Sequence, residues 1–322
     1  MVTNYPFDIL RAVDPTEDST EILSSRPFVP KKDETDEAKD TRRRFKKDAA
    51  HYLPGPGLRT AINTAIALGQ PLLLTGAPGT GKSSAAYFIA RQLNLEPVSH
   101  FSVRSASQAM DLAGTYNAVG YMGAELRAQR VDQEVPSRDV FFTPGPLYTA
   151  FKSGKPSVVL IDEIDKAPRD FPNDLLDVLD QWKIDFPEVP EIKSVVAKDA
   201  VRPIVVITSN AERTLPDAFL RRCVYWHIEM NAEKVREIIA KRVEAKQIDL
   251  PDNVWHDAVE LHNSMVGNGL DKDPSVSELM GWLQALAVRG TKELTEQDKD
   301  IAVVTHYKTP HDQMNFRNGR KD

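Results

Sequence analysis

Residues 71–83 constrain this chain more than any other stretch; they read Pro-Leu-Leu-Leu-Thr-Gly-Ala-Pro-Gly-Thr-Gly-Lys-Ser. Gly76, Gly81, Lys82 and Ser83 meet the spacing G-x-x-x-x-G-K-[ST]. The apolar run Leu72 to Leu74 predicts a buried strand before the loop. The Ala-rich run Ser84 to Leu93, apolar at helical spacing, predicts a helix after it. Glycines let backbone N–H groups turn inward on phosphate oxygens, and the start of the helix adds the positive end of its dipole. The expected cradle is Gly76, Ala77, Pro78, Gly79, Thr80, Gly81, Lys82, Ser83 and Ser84. Lys82 is expected to reach the β- and γ-phosphates, and the Ser83 hydroxyl to ligate Mg²⁺. A glycine-rich turn that binds nothing would account for the loop, but not for the strand and helix that frame it.

Residues 157–165, Ser-Val-Val-Leu-Ile-Asp-Glu-Ile-Asp, carry the next signal. Val158 to Ile161 have the continuous apolar character of a parallel strand buried on both faces. Asp162 and Glu163 fall at its carboxyl end, where ligands bind in open α/β sheets. Asp162 is placed to hold Mg²⁺ through water, and Glu163 to orient and deprotonate an attacking water. A solvent-facing strand cap is the plainer alternative, made less economical by the phosphate loop in the same chain. Residues 203–210 form another such strand ending in Asn210, placed to meet the water or the γ-phosphate from the other side. The short helix expected over 215–223 ends in Arg221 and Arg222. Paired arginines there complement a helix dipole; they are also placed to reach the nucleotide of a neighbouring subunit.

The rest of the chain is less specific. Its 322 residues suffice for a large α/β domain and a smaller one. A net charge of −6 supplies no global basic field and argues against nucleic acid as the partner. The single cysteine, Cys223, excludes a disulfide within the chain and suits a reducing, cytoplasmic setting. The seven histidines lack metal-ligand spacing. No apolar run approaches the roughly 18 residues needed to span a bilayer, so no membrane insertion is expected. Residues 1–48 form an N-terminal extension, irregular at first. Its charged stretch, including Arg42 to Lys47, reads as a solvated helix or linker because acids and bases nearly cancel. Residues 49–230 alternate strands and helices. Residues 231–290 turn helical, and 291–322 read as a polar tail, helical near 296–304 and frayed after Pro310. Tyr52 and Leu53 are candidate walls of a base pocket or simple packing residues. The glycines and aromatics over 105–130 predict a protruding loop or hairpin, and 184–202 a polar connection or hairpin.

The order of these features resembles the AAA+ ATPases, and among them the MoxR and dynein-related group. The resemblance covers roughly residues 50–290. It rests on 71–83, Phe142-Thr-Pro-Gly-Pro-Leu147, Leu160-Ile-Asp-Glu-Ile-Asp-Lys166, Ile207-Thr-Ser-Asn210 and Phe219-Leu-Arg-Arg-Cys223. It implies a P-loop NTPase parallel sheet flanked by helices, with a small C-terminal helical lid. By resemblance, 71–83 is Walker A, Asp162 and Glu163 belong to Walker B, Asn210 is sensor 1, and Arg222, assisted by Arg221, is the arginine finger. The resemblance further implies ATP and Mg²⁺ bound between subunits of a homo-oligomeric, usually hexameric ring. The ring would act as a chaperone-like remodeller of a protein client, often one with a von Willebrand factor A domain. Tyr116, Tyr121 and Met122 would either lie on the helix-2 insert, facing the ring axis and touching the client, or be core residues. Ser277 falls near where a sensor 2 arginine is usual, a departure from the pattern. Alternatives are an ATP-gated assembly switch in a signalling or defence complex and a nucleic-acid-associated NTPase. A small-molecule kinase needs neither Glu163 after Asp162 nor a trans arginine.

Overall fold

The computed structural model describes residues 49, 52–95, 97–187, 189–192, 194–198, 202–245 and 248–319, with only the backbone for 316–319. The readings made for residues 1–48 lie outside the described residues. The chain divides into two compact units. One comprises the described residues up to Ala77 together with Gly81–Ile228; the other comprises Pro78–Thr80 and the described residues from Glu229 onward.

The first unit is built on a five-stranded sheet of β1 (Leu72–Thr75), β2 (Ser99–Ser102), β5 (Val158–Asp162), β8 (Ile204–Ser209) and β9 (Val224–His227), in the order β2-β5-β8-β1-β9. Every pairing is parallel. All residues of β1 and β5 are buried, as expected of strands covered on both faces. Register sets the site: Thr75 pairs with Ser209 and Ser102 with Asp162. The ends of β1, β5 and β8 therefore deliver Gly76, Asp162 and Asn210 to one edge of the sheet.

Helix α1 (Pro56–Leu68) buries Leu58, Ala61, Ile62 and Ala65 and ends on left-handed Gly69. Ile66 and Leu68 are exposed. Helix α2 (Lys82–Gln92) leaves the glycine loop. The short α3 (Ala109–Ala113) leads into β3 (Gly114–Tyr116), which pairs antiparallel with β4 (Phe142–Pro144). A hairpin is thus present, but α4 (Ala118–Val131) lies inside it where a loop was the alternative. Asn117 caps this helix by accepting from the Gly120 N–H at 2.8 Å, and the good helix formers from Ala124 to Arg130 outweigh Gly120 and Gly123. Helix α5 (Pro146–Ser153) precedes β5, and α6 (Phe171–Gln181) packs its apolar face into the main core. The expected second hairpin pairs β6 (Lys183–Ile184) with β7 (Val195–Val196). A one-turn helix, α7 (Asp217–Leu220), carries the arginine pair at its end.

The second unit contains α8 (Ala232–Glu244), α9 (Asp252–Met265), α10 (Val276–Arg289), α11 (Glu296–His306) and α12 (Pro310–Gly319). Trp282, Leu283 and Leu286 share a core with Ala302, Val303 and Tyr307, so the stretch read as a polar tail packs into this unit. The Trp282 indole N–H donates to the Asp298 carbonyl at 3.0 Å. Residues after Pro310 are helical rather than frayed. Proline is tolerated in a first helical turn, and Thr309 and Asp312 cap each other there, with the Asp312 N–H 3.1 Å from the Thr309 hydroxyl. Among the described residues no helix is long and apolar enough to cross a membrane.

Candidate functional site

The loop after β1 needs its glycines. Gly81 has φ +87°, and a Cβ there would lie 2.9 Å from the Tyr52 ring. Tyr52, expected as a pocket wall or a packing residue, rests against this loop glycine, and its ring centroid is 5.5 Å from that of Phe88. Burial pushes its hydroxyl pKa up. Lys82, at the start of α2, is buried, and its ammonium donates to the carbonyls of Gly76 and Ala77, each at 2.8 Å. Burial lowers its pKa; attraction to Asp162, Asp165 and Glu163 opposes that shift without cancelling it. A buried cation inside a loop of glycines suits an anionic ligand.

Asp162 anchors the strand end. Its Oδ1 accepts from the Ser83 and Thr208 hydroxyls, each at 2.6 Å, and its Oδ2 lies 3.3 Å from His100 Nε2. Burial would raise its pKa, but hydrogen bonds from His100, Ser83 and Thr208 hold the carboxyl below its ordinary value. An ionised carboxylate touching a serine hydroxyl is a hard oxygen donor set, which fits Mg²⁺.

Glu163 adopts φ 62°, ψ 52°, a left-handed conformation that costs a non-glycine residue on the order of 1–3 kcal/mol and recurs at functional sites. Its N–H donates to Thr208 Oγ1 at 2.9 Å, so one threonine ties both acids together. Its carboxylate meets Lys166 Nζ at 2.6 Å and, at the long limit of 3.5 Å, Asn210 Nδ2. Asp165, almost fully buried, accepts from the Asn210 and Glu212 N–H groups and fixes the turn after β8.

The sheet edge thus brings together Lys82, Ser83, Asp162, Glu163 and Asn210. It does not include the arginines. Arg222 forms an exposed pair with Asp180 of α6, Nε to Oδ2 at 2.7 Å, and donates to the Ala218 carbonyl. Arg221 is exposed and has no ion pair among the described residues. In the insert, Tyr116 packs on the main core, the second of the two readings, whereas Met122 is exposed. Tyr121 contacts Tyr116 and Phe141, with Arg138 5.2 Å above its ring. Sequence reasoning missed the roles of His100, Thr208, Asp165 and Lys166. The available signal was polar residues at or beside the ends of otherwise buried strands.

A parallel sheet whose carboxyl edge carries a glycine loop with a buried lysine, a serine–aspartate pair and a neighbouring acid defines a P-loop nucleotide-binding domain. Residues 71–223 match the model of the AAA domain (dynein-related subfamily). A Lon protease from Lachnoclostridium phytofermentans is 29% identical over 181 residues, 53% of this chain and 19% of that protein. The chain therefore spans about a fifth of the length of the curated relative it matches. A candidate ATPase from Cytophaga hutchinsonii aligns over 83% of this chain and 88% of its own, at 14% identity and a TM-score of 0.39. NtrX from Brucella abortus, solved with ADP, aligns over 81% of this chain and 58% of its own, at 15% identity and a TM-score of 0.48.

Proposed function

We propose that this chain hydrolyses ATP with Mg²⁺ at the subunit interfaces of a homo-oligomeric ring, and that turnover remodels a protein client, with von Willebrand factor A domain proteins as the class to test first. The observation that carries the reading is Glu163, held left-handed beside an ionised Asp162 by their shared Thr208. Lys82 and the loop amides bind the phosphates. Ser83 and Asp162 would hold Mg²⁺, which would supply positive charge against the phosphates. Glu163 accepts a proton from water as its oxygen attacks the γ-phosphorus. The bond to the bridging oxygen breaks, and ADP and phosphate leave. Asn210 steadies the water or the γ-phosphate.

The transferring group needs further positive charge, and Arg222, assisted by Arg221, is the proposed donor to a neighbouring subunit. Its pair with Asp180 is exposed and worth about 1 kcal/mol or less, so it opens at small cost. An arginine supplied in trans is worth about 10³–10⁵ in rate in well-studied NTPases. Arg222→Ala should bind ATP nearly normally and hydrolyse it orders of magnitude more slowly. Mixing inactive Arg222→Ala with inactive Glu163→Gln should restore part of the activity, because some interfaces then join a working Glu163 to a working Arg222. Failure to recover activity in assemblies shown to have exchanged subunits would count against the trans role.

A second reading, an ATP-gated assembly switch, is favoured by the 2.6 Å pair between Lys166 and Glu163, which occupies the proposed base and would slow hydrolysis. Rapid turnover stimulated by a partner protein supports the motor; slow turnover that a partner leaves unchanged supports the switch.

A further inference from the structure

His100 lies on β2, paired in register with Leu160 of β5. Leu160 and Asp162 are two apart on that strand and share a face, so His100 and Asp162 lie on the same side of the sheet. The imidazole is buried, 7% exposed as a side chain. Its Nδ1 lies 3.1 Å from the Tyr87 hydroxyl and its Nε2 3.3 Å from Asp162 Oδ2, with Ser102 Oγ also 3.2 Å from Nε2. Tyr87 is itself buried and belongs to α2, the helix that opens with Lys82 and Ser83. A hydroxyl donating to Nδ1 leaves the ring proton on Nε2, facing the carboxylate. Packing alone requires neither contact. The Asp162 oxygen opposite the Ser83 and Thr208 hydroxyls is thereby engaged as well.

We propose that His100, oriented by Tyr87, is a positioning residue that fixes the carboxylate of Asp162 beside Ser83 and so sets the affinity of the site for Mg²⁺ with nucleotide. The proposal rests on the phosphate and Mg²⁺ roles given above. Partners that orient a metal-binding carboxylate are commonly worth 10–100-fold in metal affinity.

The test is binding of a fluorescent, non-hydrolysable ATP analogue to the full chain, first in EDTA and then through a Mg²⁺ titration. His100→Leu keeps bulk but loses the donor; it should raise the Mg²⁺ concentration at half-effect about tenfold and leave affinity in EDTA unchanged. His100→Gln returns an N–H near the Nε2 position and should recover most of that shift. Tyr87→Phe should shift it about threefold in the same direction. An unshifted His100→Leu beside a shifted Asp162→Asn overturns the proposal. Equal loss of affinity in EDTA for the Leu and Gln variants also overturns it, because that marks a merely structural role. If His100→Leu does not fold, an unshifted Tyr87→Phe overturns the proposal instead. Wild-type binding by Lys82→Ala would refute the phosphate site, and the proposal with it.

Discussion

Two buried polar clusters in this chain solve the same problem in opposite ways. At the sheet edge, Asp162 keeps its charge because hydroxyls and an imidazole surround it, and Lys82 keeps its ammonium over two loop carbonyls. In the helical unit, His262 and His306 face each other at 3.1 Å, and the Trp282 ring stands perpendicular to that of His306. Burial pushes His262 down to about 4, with Glu278 pulling the other way. Burial and then repulsion from His262 push His306 to about 3, with the Ala302 backbone opposing and Lys308 adding. One cluster holds charge ready for a ligand; the other excludes charge to complete a core. Burial alone therefore marks neither function nor packing. The donors placed around the group decide which it serves.

The largest expected effect is at the first cluster. Lys82→Ala removes the buried cation of the phosphate loop and should abolish ATP binding as measured by equilibrium titration. The same variant should leave unfolding of the helical unit, followed through Trp255 and Trp282, where it is in the wild type. Unchanged nucleotide affinity would show that the loop is not the site.

The next effect separates the clusters by pH. The histidines bind protons in the unfolded chain near their usual 6.5 but resist protonation when folded. The unfolded state then holds more protons, so stability falls as pH drops from about 6.5 toward about 4. Asp162 has the opposite assignment. Its folded pKa is depressed, so its contribution persists above its usual 3.8 and is lost only below that. Melting of the full chain, reported by Trp255 and Trp282 in a Trp182→Phe, Trp226→Phe background, should fall by several degrees between pH 7 and pH 5. His306→Gln should reduce that fall, because the replacement does not titrate. An equal fall with and without His306 would assign the pH dependence elsewhere.

The same contrast explains what was legible in the sequence. The loop 71–83 and the strand ends at Asp162 and Asn210 are local patterns, in which a run of apolar residues and the polar residue that stops it lie side by side. Parallel register then places them together, as the pairing of Thr75 with Ser209 does. His100 and Thr208 were not legible as partners of Asp162, because that contact joins three strands distant in the chain. The insert helix was obscured by Gly120 and Gly123, whose low propensity is overcome by the Asn117 cap and the residues after it. The C-terminal stretch looked polar because it adds only Ala302 and Val303 of α11, and Tyr307 just after it, to a core supplied mostly by α8, α9 and α10.

The most direct measurement is made on Glu163→Gln, with ATP binding and phosphate release determined on the same preparation. The substitution keeps the size of the side chain and leaves Asp162, Ser83 and Lys82 in place, but removes the carboxylate proposed to take the proton from water. ATP binding in Mg²⁺ should match the wild type, while phosphate release should fall by orders of magnitude. Wild-type phosphate release by Glu163→Gln would contradict the assignment of this strand end as the hydrolytic centre.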